Sequence, residues 1–255
     1  MFTGPVPTIL EAQEPDGYWV KPGPGYNPKY RSTVWSLSML ARLGADGSDA
    51  RVRQAGEYVL DHSIDRNGAF SATGTPSGAI LCPNGNLAAA LLDQGWMGDE
   101  RLHRAMEWVA KAVTAEGIAP TEEKDAPLRY LKSATCGPGF RCSANDRKPC
   151  AWGAVKVMLA FSKLPDIART PLIQQAIEAG LESLLGRVPH ADLLIVDLTT
   201  GACALRLPLI AAHHLRDHIH PEVCLVPGYD QRGGDADRAG TALGEDQAPC
   251  SHLPD

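Results

Sequence analysis

The chain has 255 residues, 44% of them hydrophobic and 21% charged, enough to bury a sizeable core as one large domain or two small ones. A net charge of −6, with no Lys/Arg cluster against it, excludes the electrostatic footprint of a nucleic-acid binder. No basic start with an apolar run marks a signal peptide and no apolar stretch is long enough for a bilayer; the expected location is cytoplasmic, where an odd count of seven cysteines argues against a disulfide framework and leaves thiols as small buried hydrophobes or metal ligands.

The first informative stretch is Gln13-Glu14-Pro15-Asp16-Gly17-Tyr18-Trp19. Asp16-Gly17 supplies a turn, since glycine accepts positive φ without steric cost. Gln13 offers an amide to the free backbone groups of a neighbouring helix end, and Trp19 covers apolar surface, so the stretch reads as a clasp between helical units. The Pro- and Gly-rich run from Lys21 to Pro28 is a loop. Ser32 or Thr33 then caps a helix with Val34, Leu37, Leu40 and Ala41 at helical spacing, ended by Gly44. A second helix starts at Asp49 and carries Val52, Ala55, Tyr58 and Val59 on one face to His62. The two make a helical hairpin over about 32–62.

Asp65-Arg66-Asn67-Gly68-Ala69-Phe70 is a worn copy of the opening clasp. Asn86 caps the next helix, with Leu87, Leu91 and Leu92, which Gly95 ends; Asp99 caps its partner. Asp49, Val52, Ala55, Tyr58 and Val59 match Asp99, Leu102, Ala105, Trp108 and Val109 at a constant offset of 50 residues. Five matched positions at one offset indicate a repeat, which places a second hairpin at about 86–113. Glu116-Gly117 repeats the turn. A third hairpin, about 152–186, runs from Trp152 through Val155, Leu159 and Ala160, then Thr170-Pro171 as N-cap and first helical residue, then Ile173, Ala176, Ile177 and Leu181. A cysteine-containing insertion, 121–149, separates it from the second.

Beyond Gly186 the periodicity stops. The expectation for 187–255 is an irregular, partly disordered tail with a strand-like run from Asp192 to Leu209. The abrupt change near Arg187 reads as a native tail or as a disrupted frame. His213, His214, His218 and His220 include an i, i+4 pair suited to a metal, without an accompanying carboxylate pattern.

Helical hairpins closed by a Gln-x-x-x-Gly-x-Trp turn resemble the terpenoid cyclase and protein prenyltransferase α/α-toroid superfamily, squalene-hopene cyclases among them, over residues about 8–186. The chain resembles short bacterial members with a cysteine-containing third unit more than a full cyclase. The resemblance implies an all-α fold: an α/α toroid, incomplete at three hairpins instead of six, with Gln13, Gly17 and Trp19 as structural clasp. It also implies an isoprenoid or other apolar small molecule in a central cavity. Trp35 and Trp152 on first helices, with Tyr130 near the rim, are the cavity candidates, their rings suited to an isoprenoid or a carbocation; core packing is the other use of such rings. An open arc also implies a homodimer that covers the exposed edges. No Asp-x-Asp-Asp acid motif is present apart from the distant string Asp235-Ala236-Asp237, and no Asp-Asp-x-x-Asp site for magnesium and diphosphate.

Cys82, Cys136, Cys142 and Cys150 are the metal-ligand candidates. Cys82 and Cys150 precede the first helices of two successive hairpins, so repeat geometry sets both at one rim beside helix N-termini that favour thiolate. Cys136 and Cys142 flank Gly137-Pro138-Gly139-Phe140-Arg141 in the loop between. Four thiols converging there form a tetrahedral site for zinc, or for an iron–sulfur cluster; separate thiols packed as small apolar side chains are the alternative. Asn84 and Asn86 lie near the same rim, as caps or as binding groups. Three functions compete: an isoprenoid cyclase or transferase, a non-catalytic toroid that binds a ligand or protein with the cysteines as a structural staple, and a carbohydrate-active ring built on Glu122, Glu123 and Asp125.

Overall fold

The computed structural model describes residues 4–131 and 136–185, together with three strands at 193–197, 203–207 and 223–227. After a short α1 (Pro5–Glu11), six helices follow as three hairpins: α2 (Thr33–Arg42) with α3 (Ala50–His62), α4 (Leu81–Asp93) with α5 (Glu100–Thr114), and α6 (Ala151–Ser162) with α7 (Pro171–Leu185). The first helices form one row, α4 packing between α2 and α6, while α5 packs on α7. A salt link joins α3 to α5, where Arg101 donates to Glu57 at 2.8 Å and to Asp61 at 2.5 Å. The described residues are therefore mostly helical and the helices pair as hairpins, but two small sheets accompany them, so the fold is not purely α. No helix there is long and apolar enough to cross a membrane.

Several helix ends follow from sequence chemistry. Asp49 and Asp99 accept from the N–H groups of Arg51 and Arg101, and Thr170 Oγ1 accepts from Ile173 N–H, the side-chain caps that orphan N-terminal donors require. Two assignments are corrected. Ser32 holds the N-cap position of α2 as expected, but its side chain makes no cap hydrogen bond; the Ser32 hydroxyl donates to Gly25 O and Thr33 Oγ1 accepts from Trp19 N–H. The second hairpin begins at Leu81, not 86, so Asn86 is inside α4. Pro83 is tolerated in that first turn because its missing N–H would be unpartnered there anyway.

The clasp reappears as structure. In the first copy Gln13 Nε2 donates to Arg51 O at 3.0 Å, Gln54 Nε2 donates to Pro15 O, and the Trp19 indole N–H donates to Ile9 O at 2.8 Å. Trp19 is 3% exposed. In the second copy Phe70 takes the place of Trp19, and its backbone N–H donates to Asn84 Oδ1 at 2.8 Å just as Trp19 N–H donates to Thr33 Oγ1. Asn84 also donates to Phe70 O and Ile80 O, which explains why a polar amide is fully buried there. Asn84 is a structural bridge between clasp and helix and caps nothing.

The insertion forms a small antiparallel sheet in the order β1 (Cys136–Gly137), β2 (Arg141–Cys142), β3 (Lys148–Pro149). Further along, β4 (Leu193–Asp197) lies between β5 (Cys203–Leu207) and β6 (Val223–Pro227), antiparallel to both. The strand-like run expected from Asp192 to Leu209 corresponds to β4 and β5. The histidines His213 to His220, Asp235, Asp237 and the proposed frame boundary at Arg187 lie outside the described residues.

Gly17 and Gly68 both have φ near +90°, but a Cβ on Gly17 would meet Gln54 O at 2.8 Å while one on Gly68 would stay 3.5 Å from Arg104 O. Gly17→Ala is therefore expected to cost about 3 kcal/mol, from strain and collision together, and Gly68→Ala about 1 kcal/mol from strain alone. Equilibrium urea unfolding measures both, and equal losses would contradict a tighter first clasp.

Candidate functional site

The four cysteine side chains come from three segments: the first turn of α4 (Cys82), the β1–β2 hairpin (Cys136, Cys142) and the N-cap of α6 (Cys150). They line one small cavity with Ile80, Leu81, Phe140, Arg141 and Gly153. Its volume of about 10 Å³ is on the scale of one water-sized sphere. All four are thiols without a disulfide, and Cys136 and Cys142 face each other as paired strand residues.

Local chain chemistry builds the roof of this cavity. Gly139 and Phe140 both take positive φ, 60° and 63°, so the chain reverses within Pro138–Arg141, with Arg141 N–H donating to Pro138 O. Phe140 holds this unusual conformation because its ring is 1% exposed and its carbonyl accepts from Cys150 N–H at 2.9 Å, which ties the hairpin to α6. The floor depends on close helix approach. Gly85 faces the backbone of Lys156 and Val157, where a Cβ would stand 2.4 Å from Lys156 C.

The electrostatics separate the thiols. The Cys142 thiol donates a hydrogen bond to Cys150, which holds Cys150 well below the ordinary thiol range; the N–H groups of Gly153 and Trp152 and the Lys156 ammonium act in the same direction. Cys142 is raised by that same bond and by burial. Burial pushes Cys136 up to about 11. Cys82 lies near Tyr26, Lys156 and Cys142, within electrostatic reach of all three. Lys156, absent from the sequence-based candidates, is lowered by burial and lies over the Trp152 ring at 4.4 Å. Its position four residues past Trp152 on one helical face was the available signal.

The other candidates are placed differently from expectation. Cys82 does not precede its helix but belongs to the first turn of α4. Trp152 is 67% exposed, because the first turn of α6 turns its side chain outward, away from the cysteine-lined cavity. Trp35 donates its indole N–H to Tyr26 O at 2.8 Å and packs between the rings of Tyr26 and Tyr30, a partly buried aromatic cluster. Tyr130 is an anchor: its hydroxyl donates to Ala112 O at 2.7 Å, and burial raises its pKa strongly. Among the described residues, no three His, Cys, Asp or Glu side chains already stand as ligands of one metal ion. Compared with protein-family models, curated proteins and solved structures, the chain matches none.

In metal-free protein, iodoacetamide is expected to alkylate Cys150 first, at a rate already near its plateau by pH 7, since the thiolate is the reacting form. Cys136 should react far more slowly, its rate rising only as the pH approaches 11. Peptide mass mapping over a pH series reads both, and equal rates at the four cysteines would contradict these electrostatics.

Proposed function

We propose that this chain is a binding scaffold: an arc of helical hairpins of the α/α-toroid type, akin to the terpenoid cyclase and protein prenyltransferase superfamily, whose third unit is stapled by zinc on Cys82, Cys136, Cys142 and Cys150. The observation that carries this reading is the convergence of four thiols from three chain segments on one cavity of single-ion size. Thiolates are zinc's preferred structural ligands. Holding zinc would require the four thiolates to close to about 2.3 Å from a common centre. The zinc supplies no chemistry in this reading; it joins α4, α6 and the hairpin, a role that suits a loop with little core of its own. Two copies paired edge to edge would cover the ends of an open arc.

Purification without chelator followed by elemental analysis tests the staple. One zinc per chain is expected, lost in Cys82→Ser and in Cys142→Ser. Absence of stoichiometric zinc or iron from the unsubstituted chain would overturn it.

A second reading, catalysis on an isoprenoid, is favoured by the Tyr26, Tyr30 and Trp35 cluster beside Cys82, since aromatic faces stabilise carbocations. It is the weaker reading because the cavity next to this cluster, lined by the cysteines, is about 10 Å³, far below the roughly 300–1,000 Å³ that a sizeable ligand needs. Incubation with squalene and with prenyl diphosphates, followed by product analysis, decides it. The expected result is no product, and turnover lost in Trp35→Ala would replace the scaffold reading.

A further inference from the structure

The two clasps differ in a way that leaves a cleft. In the first, Gln13 and Gln54 fill the space between turn and helix with reciprocal amide hydrogen bonds. Shifted by one repeat, Ile64 stands where Gln13 does and Arg104 where Gln54 does, and neither reproduces those bonds. A cleft of about 420 Å³ opens there, within the range of small-molecule sites.

Its lining has a consistent chemistry. Arg66 projects from the turn, and Arg104 and Lys111 from α5. Arg104 makes no side-chain hydrogen bond or ion pair among the described residues, and Arg66 makes no salt bridge there. Lys111 is shared with Glu107 at 3.1 Å, so three cations, Arg66, Arg104 and Lys111, line the cleft with two carboxyl groups, Glu107 and Asp65. Asp65 is 5% exposed. Its Oδ1 accepts from Asn67 N–H and Ala69 N–H, while its buried Oδ2 has no partner among the described residues. Burial raises that carboxyl above its ordinary pKa, against the N–H groups of Asn67, Ala69 and Gly68 and the Arg66 charge, which lower it. The Trp108 ring forms part of the wall.

We propose that this cleft at the second clasp binds a small organic anion, a carboxylate or phosphate ester on a flat apolar body, with Arg66 and Arg104 on the charge and Trp108 against the body. The arginine fork matches the planar or tetrahedral oxygens of either group. This names the ligand class of the scaffold reading and depends on it, but uses none of the cysteines. Zinc content measured on the same sample therefore separates failure of the staple from failure of the cleft.

The test follows indole N–H signals of the full chain, Trp108 being assigned through Trp108→Phe, as phenyl phosphate or 3-phenylpropionate is added to millimolar concentration. A saturable shift of the Trp108 signal with either compound supports the proposal, and the responding compound identifies the anion. Arg104→Gln and Arg66→Gln should each weaken binding about tenfold, the loss of one charge-assisted bond. Arg53→Gln, whose arginine stacks on Trp96 at 3.6 Å, should leave it unchanged. Ile64→Gln combined with Arg104→Gln should rebuild the first clasp's pairing and abolish binding. The proposal fails if neither anion gives saturation, if the neutral benzyl alcohol binds as well, or if Arg66→Gln, at an exposed position that folding does not need, binds as tightly as the parent.

Discussion

A backbone N–H at the end of each clasp donates to a side chain in the first turns of the following helix, and much of the architecture depends on that bond. Trp19 gives its N–H to Thr33, and Phe70 gives its own to Asn84. A buried donor without a partner costs about 1–3 kcal/mol, so the turn cannot drift from the helix without that loss. Asn84 strengthens the second joint by also donating to Phe70 O and Ile80 O. Through that amide the N-terminal turn of α4 is held in place, and with it the Cys82 side of the thiol cavity.

The third unit meets the same demand differently. No Thr or Asn serves α6; the Cys150 N–H donates to Phe140 O instead, and the β1–β2 hairpin occupies the place of a clasp. Phe140 packs as a fully buried ring, as Phe70 does one unit earlier. Cysteines therefore collect where the ordinary clasp has been replaced, and a metal there would supply the cohesion that glutamine and tryptophan give the first unit. The second clasp is a third solution. It keeps the aromatic and the buried amide but has lost the glutamine pair, and the space so freed is the cationic cleft.

Much of the hairpin pattern was legible from side-chain chemistry. Asp49, Asp99 and Thr170 announce helix starts because short polar side chains satisfy orphan N–H groups, and the 50-residue offset exposes the repeat through the apolar face of α3 and α5. The start of α4 was not legible. Pro83 and the lack of a side-chain cap hide it, and Asn84 looks like a cap when its amide is spent on Phe70. Trp152 was misjudged as cavity lining because helical spacing alone does not say which face a first turn presents. Nothing local marks the altered ionisation of Lys156 and Asp65, since it comes from burial by segments distant in sequence.

The sequence by itself determined the helices apart from the start of α4, their pairing and the clasp turns, because capping, glycine turns and helical periodicity are local properties of the chain. It also marked the four cysteines as related through the repeat. Only the tertiary structure decided that those thiols share one cavity, that Cys142 and Cys150 are hydrogen-bonded partners with opposite displacements, and that one clasp is closed while the next is open. Those outcomes depend on how closely α4 approaches α6 at Gly85, and on how well a turn docks on the next helix. Such distances are set by packing between segments, which no local pattern encodes.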